Sequence, residues 1–513
     1  MKSAKGKNLK ARDAASANGG AASSRPDSST ETVIDMEEAI ALLKTTRPTF
    51  YRWLRAGKFR GMKTGRQWRF YRDDIVAFLQ GEGPRIALAA PLAPLLETLT
   101  TVYAELGEGA TAPKGQTDLE QTVYLTVGIA MRMNASDIHV QPTSGNEAVI
   151  RLRVDGVLHE IARFDRRLLG SFVEQWKTFS GVDLSPRPGA DGRSMFILNE
   201  IPVDIRSSFV QSAAGECATM RLLWKVGRND FGLDTLQISP EARERFVKSL
   251  SERTGLIVVT GPAGSGKTTT LYSAINHLAS PAIKVMTAED PVEMLLENTV
   301  QIPVRPDAGM PYAAVLTRIF RSDPDVVMIG EIRDREMFEI CCKGAAVGHL
   351  MLTTLHVATA VQTLYRMADL LDDAGRAVFL YGGTVRLVLA QRLLRNTCPH
   401  CATPRKLPNE LASQLKARVL QGGLDWDALP KKFVAVPGCT QCGKTGYRGR
   451  VGVAEALDIT PAIMHALRSG AEAADIEKLA VEQGMITIDA QGLRLAATGE
   501  TTVDEVLRVF QRT

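Results

Sequence analysis

Residues 1–32 show no apolar period and are rich in Ala, Ser, Gly, Asn, Lys and Arg, which predicts a disordered tail. From Val33 the pattern changes. IDMEEAIALL (34–43) places apolar residues at helical spacing, with Asp35 positioned as N-cap. PTFYRWLRAG (48–57) predicts a second helix, with Pro48 suited to its first turn and Gly57 to its C-terminal cap. FRGMKTG and RQWRFYR alternate on either side of Gly65 and predict a hairpin; DDIVAFLQG (73–81) predicts a last short helix. Helix, turn, helix, hairpin and helix therefore follow one another within about 50 residues, over 33–82.

Residues 83–116 are rich in Pro, Ala, Gly and Thr and read as a linker whose middle (90–106) could form a short helix. From Asp118, helical and alternating patterns mix. DLEQTVYLTVGIAMRM reads as a helix, AVIRLRVDGVLHEIARF as a hairpin, and IPVDIRSSFV and CATMRLLW as strands, an α+β domain over 117–228. Over 229–396 continuous apolar runs alternate with amphipathic ones, as in a doubly wound parallel sheet. Residues 397–513 carry two cysteine pairs and several short helices. There is no internal repeat.

Composition narrows the class. At 45% hydrophobic and 23% charged residues the chain is mostly globular, and 513 residues suffice for several domains. No apolar run approaches the ~18–20 residues of a membrane span, and the first 30 residues lack the apolar core of a secretory signal. The net charge of +5 is unevenly spread. Residues 1–82 hold 16 Lys/Arg against 9 Asp/Glu, a net of +7, and the rest of the chain is −2. Only the N-terminal portion therefore suggests a polyanionic partner. From Lys44 to Arg72 there are ten Lys/Arg and no acid. Arg52 and Arg55 on the second helix could face a major groove, and Lys63, Arg66 and Arg69 on the hairpin could contact phosphates; Phe50 and Trp53 are expected in the small core. Duplex DNA and a docking protein both remain open as partners of this module.

GPAGSGKT (261–268) has the spacing G-x-x-x-x-G-K-[ST]. It follows the β-branched run LIVVT and opens the helical TTTLYSAINHLA. The expected nucleotide-binding set is Gly261, Pro262, Ala263, Gly264, Ser265, Gly266, Lys267, Thr268 and Thr269. Backbone N–H groups would close around phosphates, Lys267 would reach the β- and γ-phosphates of ATP, and Thr268 would hold Mg²⁺. The apolar run VVMIGE (326–331) ends in an acid without the usual Asp. Glu331 is then the base expected to orient the attacking water. The acidic segment AEDPVE (288–293) could supply charge on the metal side.

Cys398-x-x-Cys401 and Cys439-x-x-Cys442, separated by 37 residues, form two knuckles that suit one closed structural Zn²⁺. His400, inside the first knuckle, is not expected to be a ligand. Cys217, Cys341 and Cys342 read as small buried residues.

In combination these motifs resemble the secretion-type ATPases of type II secretion and type IV pilus assembly. ASDIHVQP (135–142), RLRVDGVLHE (151–160), the phosphate loop, AEDPVE, DPDVVMIGEIRD (323–334), GHLMLTTLH (348–356), AQRLLRNTCPHC (390–401) and GCTQCGKTGYRGRVGVAE (438–455) follow one another in that family's order. The resemblance covers about three quarters of the chain. It implies a RecA-like P-loop ATPase core, a preceding α+β (PAS-like) domain and a zinc-binding C-terminal region. It implies catalytic roles for Glu331, Glu289, Asp290 and Glu293. His349 and His356 would sit near the γ-phosphate, approached by Arg206 and Arg221, with Arg193 a weaker candidate. The tetracysteine set argues against the retraction-type pilus members. The resemblance also implies a homo-hexamer on the cytoplasmic face of the inner membrane, acting on a membrane platform protein. The N-terminal module, 33–82, resembles the winged helix-turn-helix of the excisionase/MerR type. An ATP-dependent DNA-binding regulator or translocating factor is the alternative function. The sequence departs from the family at Thr317, at Val357-Ala358-Thr359 and at Gln211-Ser212.

Overall fold

The computed structural model describes residues 33–55, 59, 61–64, 67–79, 88–106, 115–184, 189–198, 200–223 and 232–510. The expected tail, Gly57, Gly65 and Arg66 lie outside the described residues, as do the side chains of Arg55 and Lys63. The chain divides into two compact units, Met1–Ile86 and Ala87–Thr513.

In the first unit, Asp35 caps the helix Met36–Leu42 through a reciprocal box. Its carboxylate accepts from the Glu38 N–H, and the Glu38 carboxylate accepts from the Asp35 N–H, both at 3.0 Å. The helix Arg47–Arg55 follows, and Gln67–Tyr71 pairs with both Met62–Thr64 and a short strand, Val33–Asp35. That third strand is too short to show as a sequence pattern. Phe50 is fully buried between Phe59 and Phe70, with ring centroids 4.9 and 5.1 Å away. Trp53 is half-buried against Phe78.

The second unit opens with the helix Ala93–Glu105, inside the stretch expected to be a linker. Leu95, Leu99 and Tyr103 bury its inner face, and the Arg132 guanidinium stacks 3.6 Å over the Tyr103 ring. It is thus a packed layer of the α+β domain. The six-stranded antiparallel sheet there runs Val157–Asp165, Glu147–Val154, Ala135–Pro142, Gly215–Leu223, Ile201–Ser212, Gly189–Leu198. Trp176, Phe172 and Phe196 cluster beside it with the helix Leu169–Phe179. Register lines up Arg153, Asp137, Arg221, Arg206 and Arg193 on five neighbouring strands.

A seven-stranded sheet forms the core, in the order Thr299–Pro303, Val285–Glu289, Val326–Ile329, Leu350–Leu355, Gly255–Thr260, Val385–Thr397, Tyr447–Asp458. The first six are parallel and the last is antiparallel. Gly255–Thr260 is buried at every position, as a central parallel strand requires. Tyr447–Asp458 belongs to this sheet, so the expected boundary at 396/397 cuts through a continuous structure. The cysteine pairs lie in the connection between its last two strands.

Candidate nucleotide site and metal centre

The strand Gly255–Thr260 delivers its C-terminal end to the helix Lys267–Leu278 through the glycine loop. Gly266, the residue before that helix, has φ +89°, a left-handed conformation that glycine adopts without the steric cost of a Cβ. Crevices at the carboxyl ends of parallel strands are where such sheets bind ligands. Here a cleft of about 390 Å³ is lined by Lys267, Thr268, Glu289, Asp290, Glu293, Glu331, His356 and Arg221, among others.

Lys267 Nζ donates to the carbonyls of Gly261 (2.9 Å) and Pro262 (3.1 Å) and lies 3.5 Å from His356 Nδ1. Burial lowers its ammonium to about 8, against a smaller upward pull from Glu331. Glu331 stands two residues past the strand Val326–Ile329, after Gly330. Its carboxylate accepts from Arg333 Nε and lies 3.2 Å from His356 Nε2. Burial pushes its pKa up, but hydrogen bonds from Arg333 and His356 outweigh this and hold it below the usual carboxylate range.

The acidic segment divides by environment. Glu289 is buried and accepts from the Tyr272 hydroxyl, the Thr287 hydroxyl and Gln301 Nε2, which hold its carboxyl group in place. Asp290 pairs with Arg333 Nη2 at 3.2 Å. The Glu293 carboxyl is raised by burial and by Glu289, against Arg206 and Arg221. Burial pushes the Tyr312 phenol up to about 12.

Arg221 lines the cleft from the α+β domain while its Nε donates to the buried Asp137 at 3.0 Å. Arg206, directly opposite Arg221 in register, is exposed and lines an adjoining cavity instead. Arg193 is bound to Asp204 through Nε at 2.8 Å. His349 departs from expectation. It stands at the start of the strand Leu350–Leu355, the end away from the phosphate loop, where its Nδ1 meets the Pro324 carbonyl at 2.8 Å. Its partner His356 stands just past the other end.

Sequence reasoning missed Arg333, Tyr272, Gln301 and Gln391. Gln391 lies within AQRLLRNTCPHC (390–401), where nothing in the local pattern points to its partners. The departure at 357–359 has a local use. The Thr359 hydroxyl accepts from the Gln362 N–H and caps the helix Ala360–Asp369.

The four cysteine sulfurs of Cys398, Cys401, Cys439 and Cys442 lie within 4.8 Å of one another. Cys439 Sγ is 3.9 Å from Cys398 Sγ and 3.8 Å from Cys442 Sγ. A tetrahedral Zn²⁺ with Zn–S of about 2.3 Å needs sulfur–sulfur edges of about 3.8 Å. The donor set therefore fits Zn²⁺. The N–H groups of Cys439 and Gly446 both point at Cys442 Sγ, at 3.2 Å, as a thiolate would require.

In the first unit, Arg52 is exposed, and Arg69 is half-buried with its guanidinium on the Gln67 side chain at 3.3 Å. Among the described residues no helix is long and apolar enough to cross a membrane.

The profile of the family described as Type II/IV secretion system protein matches residues 113–508, and that of a helix-turn-helix domain matches 33–83. The chain is 38% identical over 384 residues to the type II secretion system protein E of Aeromonas hydrophila, covering 74% of this chain and 73% of that one. It is 36% identical over 383 residues to the type IV pilus assembly ATPase PilB of Pseudomonas aeruginosa, covering 74% and 65%. The solved structure of the Legionella pneumophila ATPase DotB shares the fold, with a TM-score of 0.55 at 19% identity over 76% of this chain and 95% of that one.

Proposed function

We propose, for a chain that belongs to the type II/IV secretion system protein family of P-loop ATPases, a hexameric, Mg²⁺-dependent motor. It would drive a type II secretion or type IV pilus assembly machine from the cytoplasmic face of the inner membrane. Its partner there would be a membrane platform protein. The observation that carries this reading is one cleft gathering Lys267, Thr268, Glu331 and His356 from the core with Arg221 from the α+β domain.

Phosphoryl transfer needs positioning and neutralisation of charge more than covalent chemistry. Lys267 would leave the loop carbonyls for the β- and γ-phosphates. The Thr268 hydroxyl, with cleft carboxylates of the Glu289–Glu293 segment, would hold Mg²⁺, whose oxygen-seeking chemistry they suit. When bound, that ion neutralises phosphate charge. Glu331, kept ionised, would orient the attacking water, and His356 would hold Glu331. Arg221, aided by Arg206, would stabilise the γ-phosphate only when the α+β domain is closed over the cleft. Loss of the γ-phosphate then weakens that clamp and releases the domain, the elementary stroke of a motor. Zn²⁺ on the four cysteines would be structural.

Glu331→Gln tests the assignment. ATP hydrolysis should be abolished while ADP and ATP still bind; full hydrolysis by this variant would sink it.

A second reading is favoured by one specific observation, the ten Lys/Arg without an acid over 44–72 in a helix-turn-helix match. That module would contact duplex DNA, through Arg52 and Arg69 among others, or dock a protein. DNA binding that weakens steeply with salt supports the first; a flat response supports docking.

A further inference from the structure

The strand Val385–Thr397 lies beside Gly255–Thr260 and runs past the glycine loop. Gln391 on it is buried, at 3% exposure, and both polar atoms of its side chain are spent on that loop and the helix it opens. Its Nε2 donates to the Ser265 carbonyl at 2.7 Å, and its Oε1 accepts from the Thr270 hydroxyl at 2.8 Å. A carbonyl can only accept, so the amide orientation is fixed by its partners. The contact spans the loop and the first turn of the following helix. The loop is also built around this residue. A Cβ at Gly261 would lie 2.5 Å from the Gln391 carbonyl oxygen, and one at Gly266 would lie 3.2 Å from Gln391 Nε2.

We propose that Gln391 is a positioning residue for nucleotide binding: it holds the phosphate loop in its receiving shape by bridging Ser265 and Thr270. The inference rests on the reading of the loop as the nucleotide site. A shape set before nucleotide arrives acts on ADP and ATP alike. Losing it removes uniform binding, which raises KM and leaves kcat at saturation in place. Glutamine suits the position because one partner needs a donor and the other an acceptor. Met has the size without either, and Glu loses the donor and leaves the Ser265 carbonyl buried and unpaired.

The test uses the full chain and measures ADP affinity by titration, alongside KM and kcat for ATP. Gln391→Met should weaken ADP binding on the order of 10-fold to 100-fold, raise KM in parallel and leave kcat within about 3-fold. Gln391→Glu should be at least as weak. Lys267→Ala, run beside them, separates two failures. If it binds ADP as well as wild type, the site reading fails. If it loses ADP while Gln391→Met keeps full affinity, the positioning role alone is overturned. A fall in kcat with ADP affinity intact also overturns it. Should Gln391→Met not fold, Thr270→Val removes one of the two contacts on an exchangeable position. A several-fold loss of ADP affinity supports the role, and unchanged affinity overturns it.

Discussion

His356 Nε2 lies 3.2 Å from Glu331 Oε2, and this contact sets how the ring carries its hydrogen. Lys267, which can only donate, faces Nδ1 at 3.5 Å, so Nδ1 accepts and Nε2–H points at the carboxylate. The ring thereby links Lys267 to Glu331, the residues proposed to bind phosphate and to orient water. His356→Ala should lower kcat by about 10-fold to 100-fold, as for loss of one preorganised donor. ADP affinity should change little, because Lys267 would still be free to leave its loop carbonyls for the phosphates without the ring. A steady-state assay paired with ADP titration checks this; lost affinity with kcat spared would refute the link.

Lys267 should make nucleotide binding depend on pH. Burial lowers the ammonium to about 8 in the free protein, and a bound phosphate pulls it back up. Below pH 8 the free and bound forms are both charged and affinity is flat. As pH rises through 8 the free form loses its proton first, so binding must take one up, and affinity falls by up to about tenfold per unit. ADP should bind about 10-fold more weakly at pH 9 than at pH 7. Equal affinity at the two values contradicts the assignment.

Local chemistry was legible in the sequence and long-range geometry was not. The glycine loop and Glu331 announce themselves because strand, loop and helix are contiguous. The histidines show how a motif misleads. At about 3.3 Å per residue, positions seven apart on one strand stand more than 20 Å apart. His349 and His356 therefore cannot share a phosphate. Gln391 was silent because its partners lie 121 and 126 residues away in the chain. The strand Tyr447–Asp458 was hidden by the long cysteine connection, which reads as the start of a new domain although it only interrupts a sheet.

Asp137 should act on hydrolysis without touching nucleotide. It is buried between Arg221, at 3.0 Å, and Arg153, at 3.8 Å, and so aims Arg221 at the cleft. Arg221 also faces Arg206 directly across the strands, a like-charge pair that is unfavourable unless an anion arrives. Asp137→Asn keeps the shape and removes the charge. We expect kcat to fall on the order of 10-fold, with Asp137→Glu recovering part of it. In an Arg221→Ala background the same substitution should have little further effect. Additive losses would show that Asp137 works elsewhere.

Metal loading should matter to the fold before it matters to the chemistry. Cys398 immediately follows the strand Val385–Thr397, and Cys439 and Cys442 precede Tyr447–Asp458, its antiparallel neighbour. A metal at these sulfurs closes a connection of about 40 residues at the root of that pair, which restricts the unfolded chain. The lobe also reaches the α+β domain. The Gly449 N–H donates to Asp155 at 3.0 Å, and Lys444 pairs with Glu105 at 2.9 Å. The exposed Lys444 pair adds little by itself, so a metal bound at the four sulfurs would add a constraint that this pair does not supply. Cys401→Ser should lower bound zinc from one per chain, lower Tm by several degrees and expose the 402–438 connection to protease. ADP affinity should stay near wild type, because no cysteine lines the cleft. Full zinc content with an unchanged Tm would rule out a four-sulfur site, and lost ADP affinity in a folded variant would give the metal a role in the nucleotide site itself.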